Sequence, residues 1–208
     1  MLIIDAFGSS IEFDGSGDYI IIPDHTDFTP ALTPFSISSW VYMHDATSFY
    51  IASKGVYNTD GEWGLYFDSS DRPVFEFFDE SVVDCYIARY HNSAYTAYEN
   101  QWIHIVATYD GGVSATGIKI YINGLRVDDT SDTNGIFVAV ENLNHAIWIG
   151  RYNTIEANGT IDNVMFFSQV LDQADITRLY NDGHGTEIIQ ELDESRLRPS
   201  KFRDRYLL

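Results

Sequence analysis

The sequence is poor in cysteine and in basic residues. Its 208 residues include one cysteine, Cys85, and only 12 lysines and arginines against 31 aspartates and glutamates. A single cysteine excludes an internal disulfide. The net charge of −19 at pH 7 would repel nucleic acid and anionic membranes, so we expect no nucleic-acid partner.

Long apolar runs are also missing. No segment approaches the ~18 apolar residues that identify a membrane-spanning helix, so no membrane insertion is expected. The opening residues, MLIIDAFG, lack the basic region and the long apolar core of a signal peptide. A virion protein, or a piece of a larger secreted chain, would look the same, and the expected location is extracellular or virion-associated.

Short strand-like segments dominate the sequence. A content of 45% hydrophobic and 15% aromatic residues is enough to bury a sizeable core. Trp63–Asp68 and Val74–Phe78 predict a hairpin, and Asn123-Gly124 is the strongest short hairpin signal. Residues 85–100 and 128–135 lack a clean alternation and are interpreted as loops. The many short strands favour an all-β sandwich.

One helical pattern lies near the C-terminus, directly after a strand-like run. Ile176, Leu179 and Tyr180 recur at helical spacing. Asp172 is the predicted N-cap and Gly183 the predicted stop. We therefore expect one short helix that follows the last strand.

Several stretches, taken in order, resemble the LamG-like (laminin-G, concanavalin A-like) family. They are Ser10–Pro23, Phe35–Val41, Trp102–Asp110, Ile118–Arg126, Ile147–Gly150 and Gly159–Gly183. The resemblance implies a jelly-roll sandwich of two antiparallel sheets with one short helix, in which Ser10–Pro23 forms the first hairpin. It implies one domain over residues 1–185, followed by a charged extension over residues 186–208.

The resemblance also implies a structural calcium. Related jelly rolls hold it at the aspartate of the last strand, which is Asp162 here, with less direct support for Asp14 and Asp18 in the opening turn. Carboxylate and backbone oxygens are the ligands that calcium prefers. The alternative is that Asp14 and Asp18 only make the turn and that Asp162 accepts from a neighbouring amide.

Aromatic and planar polar side chains make the candidate glycan site, since aromatic faces bind the apolar faces of sugar rings. Trp40, Trp102 and Trp148 lie in family landmark strands and are predicted to be core. The candidate ligand-binding residues are Tyr57, Asn58, Trp63, Tyr86, Tyr90, His91, Tyr95 and Tyr98. The alternative is that such tyrosines merely edge an antiparallel sheet.

Catalytic motifs do not emerge from the sequence. Glucanases of this architecture carry two acids in a strand of the form E-[IL]-D-x-x-E, whereas the segment Glu191–Arg196 ends in arginine and follows the predicted sheet. Asp79 and Glu80 are adjacent, so on a strand they would face opposite sides. We therefore predict that the domain has no catalytic activity.

The expected function is that of a carbohydrate-binding or adhesion module, with a glycan or cell-surface polysaccharide as partner. The first alternative is a structural component of a phage virion or surface assembly, and the second is a glycan-active hydrolase or lyase. Five of the 12 basic residues lie in the last thirteen positions. This basic end predicts docking onto an acidic face, and hence a possible homo-oligomer through residues 186–208.

Overall fold

The computed structural model describes residues 10–185 as strands in antiparallel pairs, with one α-helix near the C-terminus. The start of the chain before residue 10, the extension over 186–208 and its predicted docking lie outside the described residues. The strands are β1 Ile11–Asp14, β2 Ile20–Ile22, β3 Phe35–Met43, β4 Tyr50–Lys54, β5 Trp63–Phe67, β6 Pro73–Phe78, β7 Tyr86–Tyr90, β8 Trp102–Tyr109, β9 Ile118–Ile122, β10 Leu125–Arg126, β11 Thr130–Asn134, β12 Ile147–Ile149, β13 Arg151–Tyr152, β14 Ile155–Glu156 and β15 Asn158–Phe167. The helix α1 spans Gln173–Tyr180, and single 3-10 turns lie at Thr26–Phe28, Thr96–Tyr98, Ala115–Gly117 and Asn181–Gly183.

Two large sheets make the sandwich. The six-stranded sheet has the order β1-β15-β3-β8-β9-β10, and the seven-stranded sheet has the order β11-β7-β6-β5-β4-β12-β2. A separate hairpin pairs β13 with β14. The predicted all-β jelly-roll sandwich with one short helix is confirmed.

The main core lies between the two large sheets. Alternate residues of β3, such as Ile37 and Val41, meet residues of the opposite sheet such as Leu65 and Phe75, and all four are fully buried. Because strand side chains alternate between faces, the intervening residues of β5, β6 and β7 point away from this core. Those residues form the outward face of the seven-stranded sheet.

Helix α1 covers the outer face of the six-stranded sheet. Ile176 and Leu179 pack with Val106 and Met165 in a second, smaller apolar cluster. The predicted N-cap is confirmed, because the Asp172 carboxylate accepts from two backbone N–H groups of the first turn in a complete capping box.

The predicted helix stop at Gly183 is wrong. The helix ends at Tyr180, and Asn181 takes the left-handed conformation, with φ 47°, that terminates it. Asparagine tolerates this region better than other non-glycine residues, so it substitutes for glycine here.

The two predicted hairpins form as expected. Strands β5 and β6 pair directly, and β9 joins β10 through Asn123 and Gly124, which have φ values of 51° and 79°. Two successive positive φ values define the type I′ turn whose twist fits a two-residue hairpin.

The predicted opening hairpin is wrong, because its two strands enter different sheets. Strand β1 pairs with β15 in the six-stranded sheet, whereas β2 pairs with β12 in the seven-stranded sheet. The glycine-containing turn between them therefore crosses from one sheet to the other.

Two predicted loops contain strands that pair with each other. Strand β7 lies within residues 85–100 and β11 within residues 128–135, and the two are in register from Thr130 opposite Tyr90 to Asn134 opposite Tyr86. Strand β11 is an edge strand of exposed polar residues, TSDTN. A strand without apolar alternation gives no sequence signal, since its pairing is decided by the neighbouring strand.

Candidate functional site

The outward face of the seven-stranded sheet carries a row of small side chains that crosses the strands. Cross-strand partners place six residues in one line, from β11 to β12. In order they are Asp132, Ala88, Glu76, Gly64, Ser53 and Trp148. We call this row the trough, because alanine, glycine and serine stand between the larger side chains. At Ser53, which is fully buried, the β13–β14 hairpin covers the row, since the Ser53 hydroxyl donates to the Arg151 carbonyl at 2.7 Å.

Aromatic side chains flank the trough on both sides. On one side Tyr86 pairs with Phe78 across β7 and β6, and the Tyr57 ring lies 5.0 Å from that of Phe78 and 5.7 Å from that of Tyr86. On the other side three tyrosine rings stack, with centroids 4.5 Å apart for Tyr50 and Tyr66 and 4.7 Å apart for Tyr50 and Tyr152.

A hydrogen bond joins the two sides. The Tyr57 backbone N–H donates to the Tyr152 hydroxyl at 3.1 Å. Tyr57 belongs to the loop that follows β4, and Tyr152 belongs to β13. The β13–β14 hairpin and this loop therefore hold the aromatic sides in fixed relation to each other.

Glu76 lies on the floor of the trough. It keeps partial solvent exposure although protein surrounds it. Burial raises the pKa of its carboxyl to about 8, with Asp132 acting in the same sense and the Tyr66 hydroxyl in the opposite one. In the ligand-free protein Glu76 is therefore largely protonated at neutral pH, although no lysine, arginine or histidine of residues 10–185 forms an ion pair with it.

Carboxylates surround the tyrosines of the trough. The Tyr86 hydroxyl donates to Asp132 at 3.1 Å, and burial together with Asp132 raises the pKa of Tyr86 to about 12. Burial and the nearby charges of Asp84 and Glu80 raise the pKa of Tyr57. Burial and then Glu76 raise the pKa of Tyr50. The phenols stay neutral, and the potential at the trough is negative.

Some of the predicted glycan-binding residues line the trough. Tyr57 and Tyr86 belong to its wall, and Asn58, in the same loop as Tyr57, donates through Nδ2 to Asp84 at 2.5 Å. Tyr90 lies further along β7, where the Arg72 guanidinium stands 4.5 Å from its ring centroid. These four lie on or beside the outward face, as a ligand site there requires.

Trp63 and Tyr95 were wrongly predicted as ligand-binding residues. Trp63 is completely buried, its indole Nε1 donates to the Phe28 carbonyl at 2.8 Å, and it belongs to the core between the sheets. Tyr95 is only 4% exposed and packs against Phe67. Strand alternation turns Trp63 inward because its neighbours Gly64 and Tyr66 face outward.

His91 and Tyr98 belong to a separate group around Tyr95. His91 Nδ1 lies 3.1 Å from the Tyr95 hydroxyl, and the Tyr98 ring stacks on that of Tyr95 at 4.9 Å. The Tyr95 backbone N–H donates to Asp71 in the turn between β5 and β6. This group therefore anchors the segment that leads to β8, at one end of the sheet.

The three landmark tryptophans differ in burial. Trp40 is 3% exposed and stacks on Tyr180 of α1, as a core position requires. Trp102 and Trp148 were also predicted to be core, but they keep partial exposure and are not buried. Trp148 ends the trough and has the Arg151 guanidinium 5.1 Å from its ring centroid.

Five residues of the trough and its walls were not predicted from the sequence: Glu76, Gly64, Tyr66, Tyr50 and Tyr152. For Glu76 a sequence signal was present, because the outward-facing residues Val74, Glu76 and Phe78 alternate with inward-facing residues of β6. A single acid on the outward face of a strand that is otherwise apolar is a candidate ligand-binding residue. Tyr152 carried no such signal, since its place depends on how the β13–β14 hairpin folds against β4.

Two of the predicted calcium ligands, Asp162 and Asp14, lie apart. Asp162 is buried and accepts from the Asn163 backbone N–H at 2.7 Å. Asp14 pairs with Asn158, four residues along β15 from Asp162, which is about 13 Å on a strand. Among residues 10–185, no group of three or more histidine, cysteine, aspartate or glutamate residues is placed to hold a metal ion. Calcium binding at Asp162, Asp14 and Asp18 stays a prediction from the family resemblance.

The sequence of residues 14–177 matches the family described as the Concanavalin A-like lectin/glucanases superfamily. The chain belongs to this superfamily. A search of curated proteins finds no match.

Several solved structures share the fold at low sequence identity. The botulinum neurotoxin serotype D binding domain is 20% identical with a TM-score of 0.61, over 85% of this chain and 44% of that one. A heptameric SAP-like pentraxin from Limulus polyphemus is 14% identical with a TM-score of 0.57, over 85% of this chain and 83% of that one. A Trypanosoma rangeli sialidase in complex with sialic acid is 15% identical with a TM-score of 0.58, over 86% of this chain but only 28% of that one. The chain thus corresponds to most of the pentraxin and to a part of the other two.

Within residues 10–185, α1 is the only α-helix, and no helix there has the length and apolarity of a membrane span.

Proposed function

We propose that this superfamily member is a non-catalytic carbohydrate-binding module whose glycan lies along the trough. The observation that carries the proposal is the row of small residues between tyrosine rings on an outward sheet face. A sugar ring needs a flat apolar surface and polar groups at its edge. The rings of Tyr66 and Tyr86 offer the first, and Glu76 with the tyrosine hydroxyls offers the second.

The family match and the folds of the solved structures support this proposal. One similar protein is a sialidase solved with sialic acid, and a botulinum neurotoxin binding domain was solved with a sialyl glycan. The extracellular or virion-associated location and the adhesion role belong to the same proposal, since each would use a glycan-binding face. A structural role in a phage virion or surface assembly stays the alternative, which a glycan-array screen without any binding would favour.

Replacement of one trough tyrosine tests the location of the site. We expect Tyr86→Ala to weaken glycan binding by about 5- to 30-fold, because stacking and hydrogen bonding by one aromatic residue contribute roughly 1–2 kcal/mol. A glycan-array screen identifies a ligand, and isothermal titration calorimetry then measures its affinity for the wild type and the variant.

Tyr98→Ala is the matched control. It removes the same side chain from the group around Tyr95, at the end of the sheet, and it should leave the affinity unchanged. Equal losses for the two variants, or a loss in Tyr98→Ala alone, would place the binding surface outside the trough and refute the proposal.

Glycan cleavage is a second candidate function, favoured by one observation. Glu76 carries a raised pKa, as a general acid requires, and Asp132 lies two strands away on the same face, about 10 Å between backbones. Measurement of new reducing ends or unsaturated ends from the bound glycan decides between the candidates. Release that Glu76→Gln abolishes would show that the module is an enzyme.

A further inference from the structure

We propose that the glycan bound in the trough carries free amino groups, and that a protonated amine of the sugar pairs with the Glu76 carboxylate between the tyrosine rings. This inference rests on the proposed glycan-binding function and names the class of glycan. The sugar would be a hexosamine whose nitrogen is not acetylated.

The charges around the trough favour a cationic ligand. Glu76 has a carboxylate neighbour in Asp132, and the tyrosines beside it feel the charges of Asp84, Glu80 and Asp68. No basic residue of the described chain is among the main causes of the raised pKa values of Glu76 and these tyrosines. A carboxyl group held in such a place without a counter-ion is complementary to a cation.

Arg151, the basic residue at the Trp148 end of the trough, already contacts other groups of the protein. The Arg151 guanidinium lies 4.2 Å from the Tyr19 ring centroid, donates to the Asn153 carbonyl, and is 3.8 Å from Glu156. It therefore does not neutralise the Glu76 end of the trough. An anionic sugar would be repelled by Asp132, Asp84 and Glu80, and no basic residue of the described chain forms an ion pair with Glu76.

The tyrosine rings also favour an ammonium group. An ammonium group is attracted to the negative face of an aromatic ring, and the attraction grows when water is displaced. Rings of Tyr66, Tyr57 and Tyr86 stand on both sides of the Glu76 position. The three N–H groups of an amine also match the acceptors present, which are the carboxylate and the tyrosine hydroxyls.

The trough is narrow at the position beside Glu76. A Cβ atom added at Gly64 would lie 3.5 Å from Glu76 Oε1 and 3.5 Å from the Tyr66 ring. A compact ammonium group fits where an N-acetyl group brings three more heavy atoms and no charge. Binding of the amine would also turn a protonated Glu76 into a carboxylate, and the proton would pass to the buffer.

The test is calorimetric titration of the full chain with a β-1,4-linked glucosamine tetramer and with its N-acetylated counterpart. At about pH 6 amines of this kind are mostly protonated. We expect the free amine form to bind at least ~10-fold more tightly, as a charge-assisted hydrogen bond implies. Titrations in buffers of different ionisation enthalpy should show release of a proton by the wild type.

Two variants separate a specific contact from general attraction to an acidic protein. Glu76→Gln should abolish both the preference and the proton release. Glu12→Gln makes the same substitution at an exposed position on β1 and should keep both. A preference that survives in Glu76→Gln, or that falls equally in both variants, would overturn the inference.

The outcomes also distinguish this inference from the proposed function. Equal binding of the two tetramers, with both weakened by Tyr86→Ala, would refute the amine preference and leave the glycan site in place. Failure of the glucosamine tetramer to bind refutes the amine inference, and a glycan-array screen then decides the proposed function separately.

Discussion

The protonation of Glu76 links the stability of the fold to the proposed binding surface. In an unfolded chain its carboxyl ionises near its ordinary value, but in the trough burial raises the pKa to about 8. At pH values between these two pKa values, the Glu76 carboxyl keeps its proton in the folded state but has lost it in the unfolded state. Stability is therefore retained at low pH and decreases as the pH rises through this range. The proposed role in binding would account for a side chain that has such a cost at neutral pH.

The first stability prediction follows from this coupling. Glu76→Gln keeps the shape of the side chain and removes the titration, so it should raise the melting temperature at about pH 9 and change it little at about pH 4. The gain in unfolding free energy should reach a few kcal/mol at most, because one pKa unit corresponds to ~1.4 kcal/mol. Denaturant titrations at the two pH values measure it, with Glu12→Gln as the control. A gain of equal size at both pH values would contradict the raised pKa.

Local signals predicted the elements that depend on local sequence, and long-range pairing decided the others. Helix α1 was predictable because Asp172 and the helical spacing of Ile176 and Leu179 lie within one short segment. The partners of β1 and β2 were not, since both strands pair with segments more than a hundred residues away. The same reason applies to β11, which is held by its register with β7 and carries no apolar pattern.

The capping box of α1 gives a prediction at this scale. Asp172→Ala removes the acceptor for two N–H groups of the first turn and should lower the unfolding free energy by ~1 kcal/mol. Glycan binding should not change, because α1 covers the opposite sheet. Denaturant unfolding and calorimetric titration of the same sample measure the two effects. Loss of binding at full stability would contradict the separation of the helix from the site.

At the scale of the whole molecule, the family and the sandwich followed from ordered landmarks, whereas the site did not. Tyr86 was predicted because tyrosines cluster near it in the sequence, and Tyr57 because it lies in the polar turn before Trp63. Glu76 and Tyr50 come from different strands, and only the register of the sheet places them together. Trp63 was wrongly predicted to face a ligand, because a shift of one residue in the alternation decides whether a strand side chain points inward or outward.

The trough as the glycan surface is the central claim, and amide chemical-shift mapping tests it most directly. Titration of the isotopically labelled chain with the ligand identified by the array should shift the backbone signals of Gly64, Glu76 and Ala88 first. The signals of the segment around Tyr98 and of α1 should stay in place. Shifts confined to those two regions, with the trough signals unchanged at saturation, would contradict the account.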